Sequence, residues 1–126
     1  MKITLHSGLP FVSATIVYKG ESLEVEHVLI DTGSGGTVFA ADKLARVDIF
    51  PEPEDALHRI AGVGGSEYVF GKRVDELIVG DLHAEDFKIE VGALDYGFTI
   101  NGIIGVDYLI ATRAVIDLKQ LKLYSS

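Results

Sequence analysis

The chain predicts a mostly-β domain with one short helix near its end, and three observations carry that prediction. Val, Ile and Thr recur in short runs punctuated by glycine, with 14 glycines against 3 prolines in 126 residues. β-Branched side chains suit a pleated surface and glycine suits tight turns. Next, Leu23-Glu24-Val25-Glu26 alternates strictly, as a half-buried strand does, and then gives way to the wholly apolar Val28-Leu29-Ile30. Finally, helical character concentrates at residues 106–112, with room for a second short helix at 40–46. An apolar content of 48% supplies one core, and the length suits a single domain spanning residues 1–126.

Taken in order, residues 1–6 and 11–18 read as strands, and Lys19-Gly20-Glu21 as a turn. The strand at 23–30 changes pattern as it enters the core, immediately before Asp31. After the helix at 40–46, Phe50-Pro51-Glu52-Pro53 is a loop, and Glu52, Glu54 and Asp55 read as its solvated acidic face. Residues 57–63 and 67–70 flank a glycine-rich tip and predict a hairpin. Strands at 76–79 and 87–91 are joined through Gly80-Asp81, and strands at 114–118 and 121–124 close the chain. There is no linker, repeat or low-complexity segment.

Composition removes several function classes. A net charge of −8 argues against a nucleic-acid backbone as partner. The absence of cysteine excludes disulfides and thiolate chemistry. The opening MKITLHSGLPF lacks the apolar stretch of a signal peptide, and no run approaches the roughly 20 residues of a membrane span, so a soluble cytoplasmic protein is expected. His6, His27, His58 and His83 lack the paired spacing of metal sites, so neither a metal nor another cofactor is expected. Ser34 has no elbow pattern around it, and Gly64-Gly65 lacks the Lys-Ser/Thr of a phosphate loop.

Asp31 remains to be explained. A carboxylate closing an apolar strand is costly to bury unless hydrogen bonds or a partner compensate. Asp31-Thr32-Gly33-Ser34 admits two readings: an Asx-type turn with Gly33 at positive φ, or a catalytic carboxylate braced by Thr32 with Gly33 admitting a substrate. The tetrapeptide alone does not decide between them. Two distant segments bear on the choice. Residues 59–65 carry three glycines around Val63, an open-backboned hairpin tip. Residues 100–109 run through Ile103-Ile104-Gly105 into the helix, with Asp107 in its first turn, where a negative charge is favourable.

In this order, the three segments resemble the retroviral-type aspartic proteases, the retropepsins and their cellular relatives. The resemblance covers most of the chain. Asp31-Thr32-Gly33-Ser34 is similar to the family's active-site motif, with Thr37-Val38 following at the spacing of viral members. Residues 60–65 resemble its glycine-rich flap. Ile103-Ile104-Gly105, with Asp107 and Leu109, resembles the motif that lies beneath the catalytic loop and opens the C-terminal helix. Ile3-Thr4-Leu5, with Pro10 after it, is similar to the viral enzymes' N-terminal interface strand.

The resemblance implies a closed β-barrel of the retropepsin type, with a flap hairpin and one short C-terminal helix. It also implies peptide-bond hydrolysis by a water held between two aspartates. Two close carboxylates share a proton, an effect for which aspartic proteases are themselves the standard illustration. This chain has a single Asp-Thr-Gly, so the second aspartate must come from another copy, Asp31 facing Asp31 across a two-fold axis. The implied partners are thus a second copy of the chain and a peptide or protein substrate. Asp31, Thr32 and Gly33 would be catalytic, with Thr32 bonding across the axis. Ser34, Gly35, Ala61, Gly62, Val63, Gly64 and Ile104 would contact substrate, and Ile103, Gly105 and Asp107 would support the site. The terminal segments of the two copies would interleave in a shared sheet. Gly35 and Gly36 replace the acidic residues of viral members and Val106 replaces their arginine, a pair lost together that leaves no orphan charge. Ala61 and Ser66 stand where viral flaps often have glycine and an aromatic. The pattern is closer to cellular and bacterial relatives. The competing expectation is a catalytically silent module of the same fold that binds peptides or partner proteins.

Overall fold

A computed structural model of the chain describes residues 1–62, 65–94 and 99–126, and the side chains of these except 58–62 and 65–68. The strands are β1 (Thr4–His6), β2 (Leu9–Tyr18), β3 (Glu21–Ile30), β4 (Val38–Ala40), β5 (Leu57–Gly62), β6 (Gly65–Val79), β7 (Leu82–Gly92), β8 (Gly102–Ile104), β9 (Ala114–Asp117) and β10 (Lys122–Ser125). Two short helices, α1 (Ala41–Leu44) and α2 (Val106–Ala111), accompany them, α1 running on into a 3-10 turn at Ala45–Val47.

The main sheet runs β1-β2-β3-β8-β4-β7-β6-β5, and a further pairing of β2 with β6 closes it. The ring is therefore a six-stranded barrel of β2, β3, β8, β4, β7 and β6, with β1 and β5 hanging outside. Closure removes the free edges that an open sheet would expose. The mostly-β class and the closed barrel are as the resemblance implies. No helix of the described residues is long and apolar enough to cross a membrane.

Local sequence explains the connections. Ser7-Gly8 and Lys19-Gly20 all sit at positive φ, the requirement of the tight turns that match the twist of β1–β2 and β2–β3. Along β3, Val25 faces the core at an odd position, whereas Val28 and Ile30 face it at even ones. A strand whose side chains alternate faces can do this only by inserting one extra residue. The register shows it: Val12 pairs with Val28 but Ala14 pairs with Val25, and His27 takes a left-handed φ of 61°. Asn101 satisfies the carbonyls exposed there, its side chain donating to Glu26 O at 2.8 Å and its backbone N–H to His27 O at 3.0 Å. This bulge is the physical basis of the pattern change before Asp31.

Three readings of the sequence are corrected. The strands expected at 67–70 and 76–79 belong to one 15-residue strand, β6, which pairs with β5 at its start and with β7 along most of its length. Ala40, expected to open the helix at 40–46, instead ends a strand, Val38–Ala40, that runs directly into α1. The terminal segments close on each other inside one chain: Ile3 N–H donates to Leu121 O at 2.8 Å, Leu123 N–H to Met1 O at 2.8 Å, and the terminal ammonium to Leu123 O at 2.9 Å. Ile3 and Leu123 are fully buried in the main core. The eight residues from Ala114 to Leu121 make this possible, because β9 and its turn bring β10 back beside residues 1–3.

Candidate active site

β3 ends at Asp31 between two rigid supports. It pairs in parallel with β8, Ile30 opposite Ile104, and the ladder continues one residue further through Asp31 N–H donating to Ile104 O at 2.9 Å. Beyond that bond the chain turns. Gly33 N–H donates to Asp31 Oδ1 at 2.9 Å and Ser34 N–H to Asp31 O at 3.1 Å, an Asx-type turn that fixes one carboxylate oxygen. Gly33 leaves the carboxylate room: a Cβ at that position would stand 3.2 Å from Asp31 Oδ1, tight enough to displace the side chain by a few tenths of an ångström. Its φ is not in the left-handed region, which corrects the reason the sequence suggested. Asp31 is half-buried, while Thr32, Gly33 and Gly35 are exposed.

The far side of the loop is locked to α2. Thr37, fully buried, donates its hydroxyl to Asp107 Oδ1 at 2.7 Å and accepts Gly105 N–H at 3.1 Å. Asp107 also accepts Thr37 N–H at 3.3 Å and Tyr108 N–H at 2.8 Å. Val106 N–H donates to Ser34 O at 2.9 Å, and Ser34 Oγ donates to Gly36 O at 2.7 Å. Gly105 lies so close that a Cβ there would sit 2.4 Å from Gly36 O. The expected support residues Gly105 and Asp107 thus meet the loop directly.

Consecutive residues of β3 and β8 face opposite ways. Ile30 and Ile104 point into the main core, and Ile104 is fully buried there. Leu29 and its register partner Ile103 point to the other side, into a second apolar cluster with Phe11 and Ile100. Ile104, expected from the sequence to contact substrate, therefore offers it no surface in the single chain. Ile103 is buried within that cluster, whereas Leu29, assigned no substrate role from the sequence, is only half-buried two residues before Asp31. The alternation inside Val28-Leu29-Ile30 was the available signal, hidden because all three residues are apolar.

The hairpin of β5 and β6 is present, its backbone paired from Leu57 opposite Phe70 to Gly62 opposite Gly65. Ala61 and Gly62 lie on its β5 arm. The tip residues Val63 and Gly64 lie outside the described residues. Two surface concavities, of about 210 and 350 Å³, are lined respectively by residues such as Lys43, Arg46 and Asn101 and by His6, Phe11 and His27; Asp31 lines neither.

The acidic loop reading is corrected in part. Glu52 and Asp55 do not simply face solvent: both bind Lys72, at 2.7 and 2.6 Å.

A six-stranded barrel whose strand-end Asp-Thr-Gly loop is held by a strand–glycine–helix motif has the fold and motif order of the aspartic-protease class. A family model described as aspartyl protease matches residues 12–108, which takes in the barrel, the loop and the start of α2. The chain belongs to this family, one of the retropepsin-like clan. No curated protein matches the chain.

Proposed function

We propose that the chain is an aspartic endopeptidase that works as a homodimer, with one active site built from Asp31 of each copy. The observation that carries this reading is the presentation of Asp31. One oxygen is anchored by Gly33 N–H, and the loop around it is largely exposed in the single chain although it directly follows the buried Ile30. A module without catalysis has little physical reason to keep a carboxylate there.

In the proposed dimer, the two carboxylates share one proton. The ionised member takes a proton from a water lying between them, and that water attacks the peptide carbonyl. The protonated member donates to the carbonyl oxygen, giving a tetrahedral gem-diol; its collapse frees the amine as the proton taken from the water passes to the nitrogen and one hydroxyl proton returns to the other carboxylate. Thr32 bonds across the axis and fixes the two loops, and the Gly33 carbonyl accepts from the substrate backbone. Ser34 and Gly35 line the cleft floor, and half-buried Leu29 offers the substrate an apolar contact. The β5–β6 hairpin, with Ala61, Gly62, Val63 and Gly64, covers the substrate as a flap.

Incubating the protein with a mixed peptide pool from mildly acid to neutral pH tests the reading. Wild type should cleave and Asp31→Asn should not. Equal cleavage by both, or by neither, would overturn it.

A further inference from the structure

Lys72 stands where the pattern of β6 calls for an apolar side chain. Phe70 and Val74, two residues to either side on the same face, both belong to the main core. Lys72 itself is only 6% exposed. A lone ammonium there would be costly, and the chain supplies two acids from the loop that leads into β5. Lys72 Nζ lies 2.7 Å from Glu52 Oε1 and 2.6 Å from Asp55 Oδ2. The loop is folded for this contact. Glu52 N–H donates to Asp55 Oδ2 at 2.8 Å, Asp55 N–H donates to Glu52 O at 2.9 Å, and Gly71 N–H donates to Ala56 O at 3.0 Å.

We propose that Lys72 is a positioning residue for the proposed proteolysis: its ion pairs with Glu52 and Asp55 tie the entry of β5 to β6 and hold the root of the β5–β6 hairpin fixed to the barrel. The catalytic side of this inference rests on the endopeptidase reading; the structural side rests on the described root of the hairpin alone.

The tie should hold across the pH range in which a carboxylate pair shares a proton. The hydrogen bond from Lys72 holds both Glu52 and Asp55 below the ordinary carboxylate range. For Lys72, burial opposes the charge, but the hydrogen bonds to Asp55 and Glu52 outweigh it and hold the ammonium above its ordinary value. Depressed acids contribute above their unfolded values and lose that contribution as pH falls through the folded ones. The raised lysine contributes below its unfolded value and loses that contribution only as pH rises through its folded one. The other charged groups nearby leave this window in place. Lys19 adds a favourable charge to Glu52, while Lys88 and Glu90 of β7 lie against Gly71, on the opposite face of β6 from Lys72.

Lys72→Met keeps an unbranched stem on the core face and removes the charge. Amide exchange at Gly71, whose N–H bonds across the tie, should quicken by about tenfold or more at pH 6. With a cleavable peptide, KM should rise about three- to tenfold while kcat stays within about twofold, as expected when uniform binding is lost. Lys72→Arg should restore most of both. A merely structural lesion would instead lower the active fraction and leave KM alone. Unchanged exchange and unchanged KM in Lys72→Met would overturn the proposal. Wild type that cleaves no peptide would sink the endopeptidase reading, while faster Gly71 exchange in the variant would still support the tie. Should Lys72→Met fail to fold, Glu52→Gln, which alters the more exposed acid, carries the same two readouts.

Discussion

At Asp31 the backbone does most of the positioning. Gly33 N–H holds Oδ1, and the residue's own N–H continues the β3–β8 ladder to Ile104 O. An asparagine at 31 offers the same acceptor in the same place, so Asp31→Asn should keep the turn and remain within about 0.5 kcal/mol of wild type in urea unfolding. Its peptide cleavage should fall by about a thousandfold or more, because the amide can neither share nor accept the proton of the proposed dyad. Thr37 carries a different load, linking loop to helix through a hydroxyl that both donates to Asp107 and accepts from Gly105. Valine has nearly the same shape but leaves the buried Gly105 N–H unpaired. Thr37→Val should therefore destabilise by about 2–3 kcal/mol, read from the urea midpoint at constant slope. A change under about 0.5 kcal/mol would show that water or another group replaces the hydroxyl.

The elements differ in how plainly the sequence announced them. β2 and β3 were legible because a half-buried strand alternates over many residues and the turns between them use glycine. β4 and β8 have three residues each, too few for any period to register, and both are wholly buried, so neither shows a polar face. The length of β6 was obscured by Lys72, Arg73, Asp75 and Glu76, four charged residues in the middle of one strand. Only the fold reveals that Lys72 is paired inward while Arg73 and Asp75 face solvent. The Asp31 loop, by contrast, was readable as a candidate site because glycines and a lone carboxylate break an apolar run. What holds the loop, Thr37 against Asp107, involves positions 70 residues apart and has no local pattern. A similar long-range pin fastens α2 to the barrel. The Tyr108 hydroxyl lies 2.9 Å from both Leu77 O and Leu82 O at the β6–β7 turn, and burial pushes its phenol well above its ordinary value, so it stays a donor. One proton serves two carbonyls. Tyr108→Phe should cost about 1–2 kcal/mol with no loss of folded-state cleavage, measured by thermal unfolding alongside peptide turnover.

At the scale of the whole molecule, a single chain offers one Asp-Thr-Gly loop at the end of its barrel and already satisfies its own terminal strands. Residues 1–3, β10 and β9 bond in sequence within one copy, so the contact between copies in the proposed dimer cannot depend on exchanging terminal segments in the way the viral enzymes do. Each copy should therefore fold before it pairs, and pairing should be reversible on dilution. Specific activity per chain should rise with concentration and then level off as the dimer saturates. Mixing wild type with Asp31→Asn makes the sharper measurement. If chains exchange freely, an equal mixture leaves about half of the wild-type chains in homodimers, and a ninefold excess of the variant leaves about a tenth. Activity per wild-type chain should fall in the same proportion, because a mixed pair has only one carboxylate to share the proton. An excess of variant that leaves this activity untouched would mean that each chain cleaves alone, and a site made from two copies of Asp31 would be ruled out.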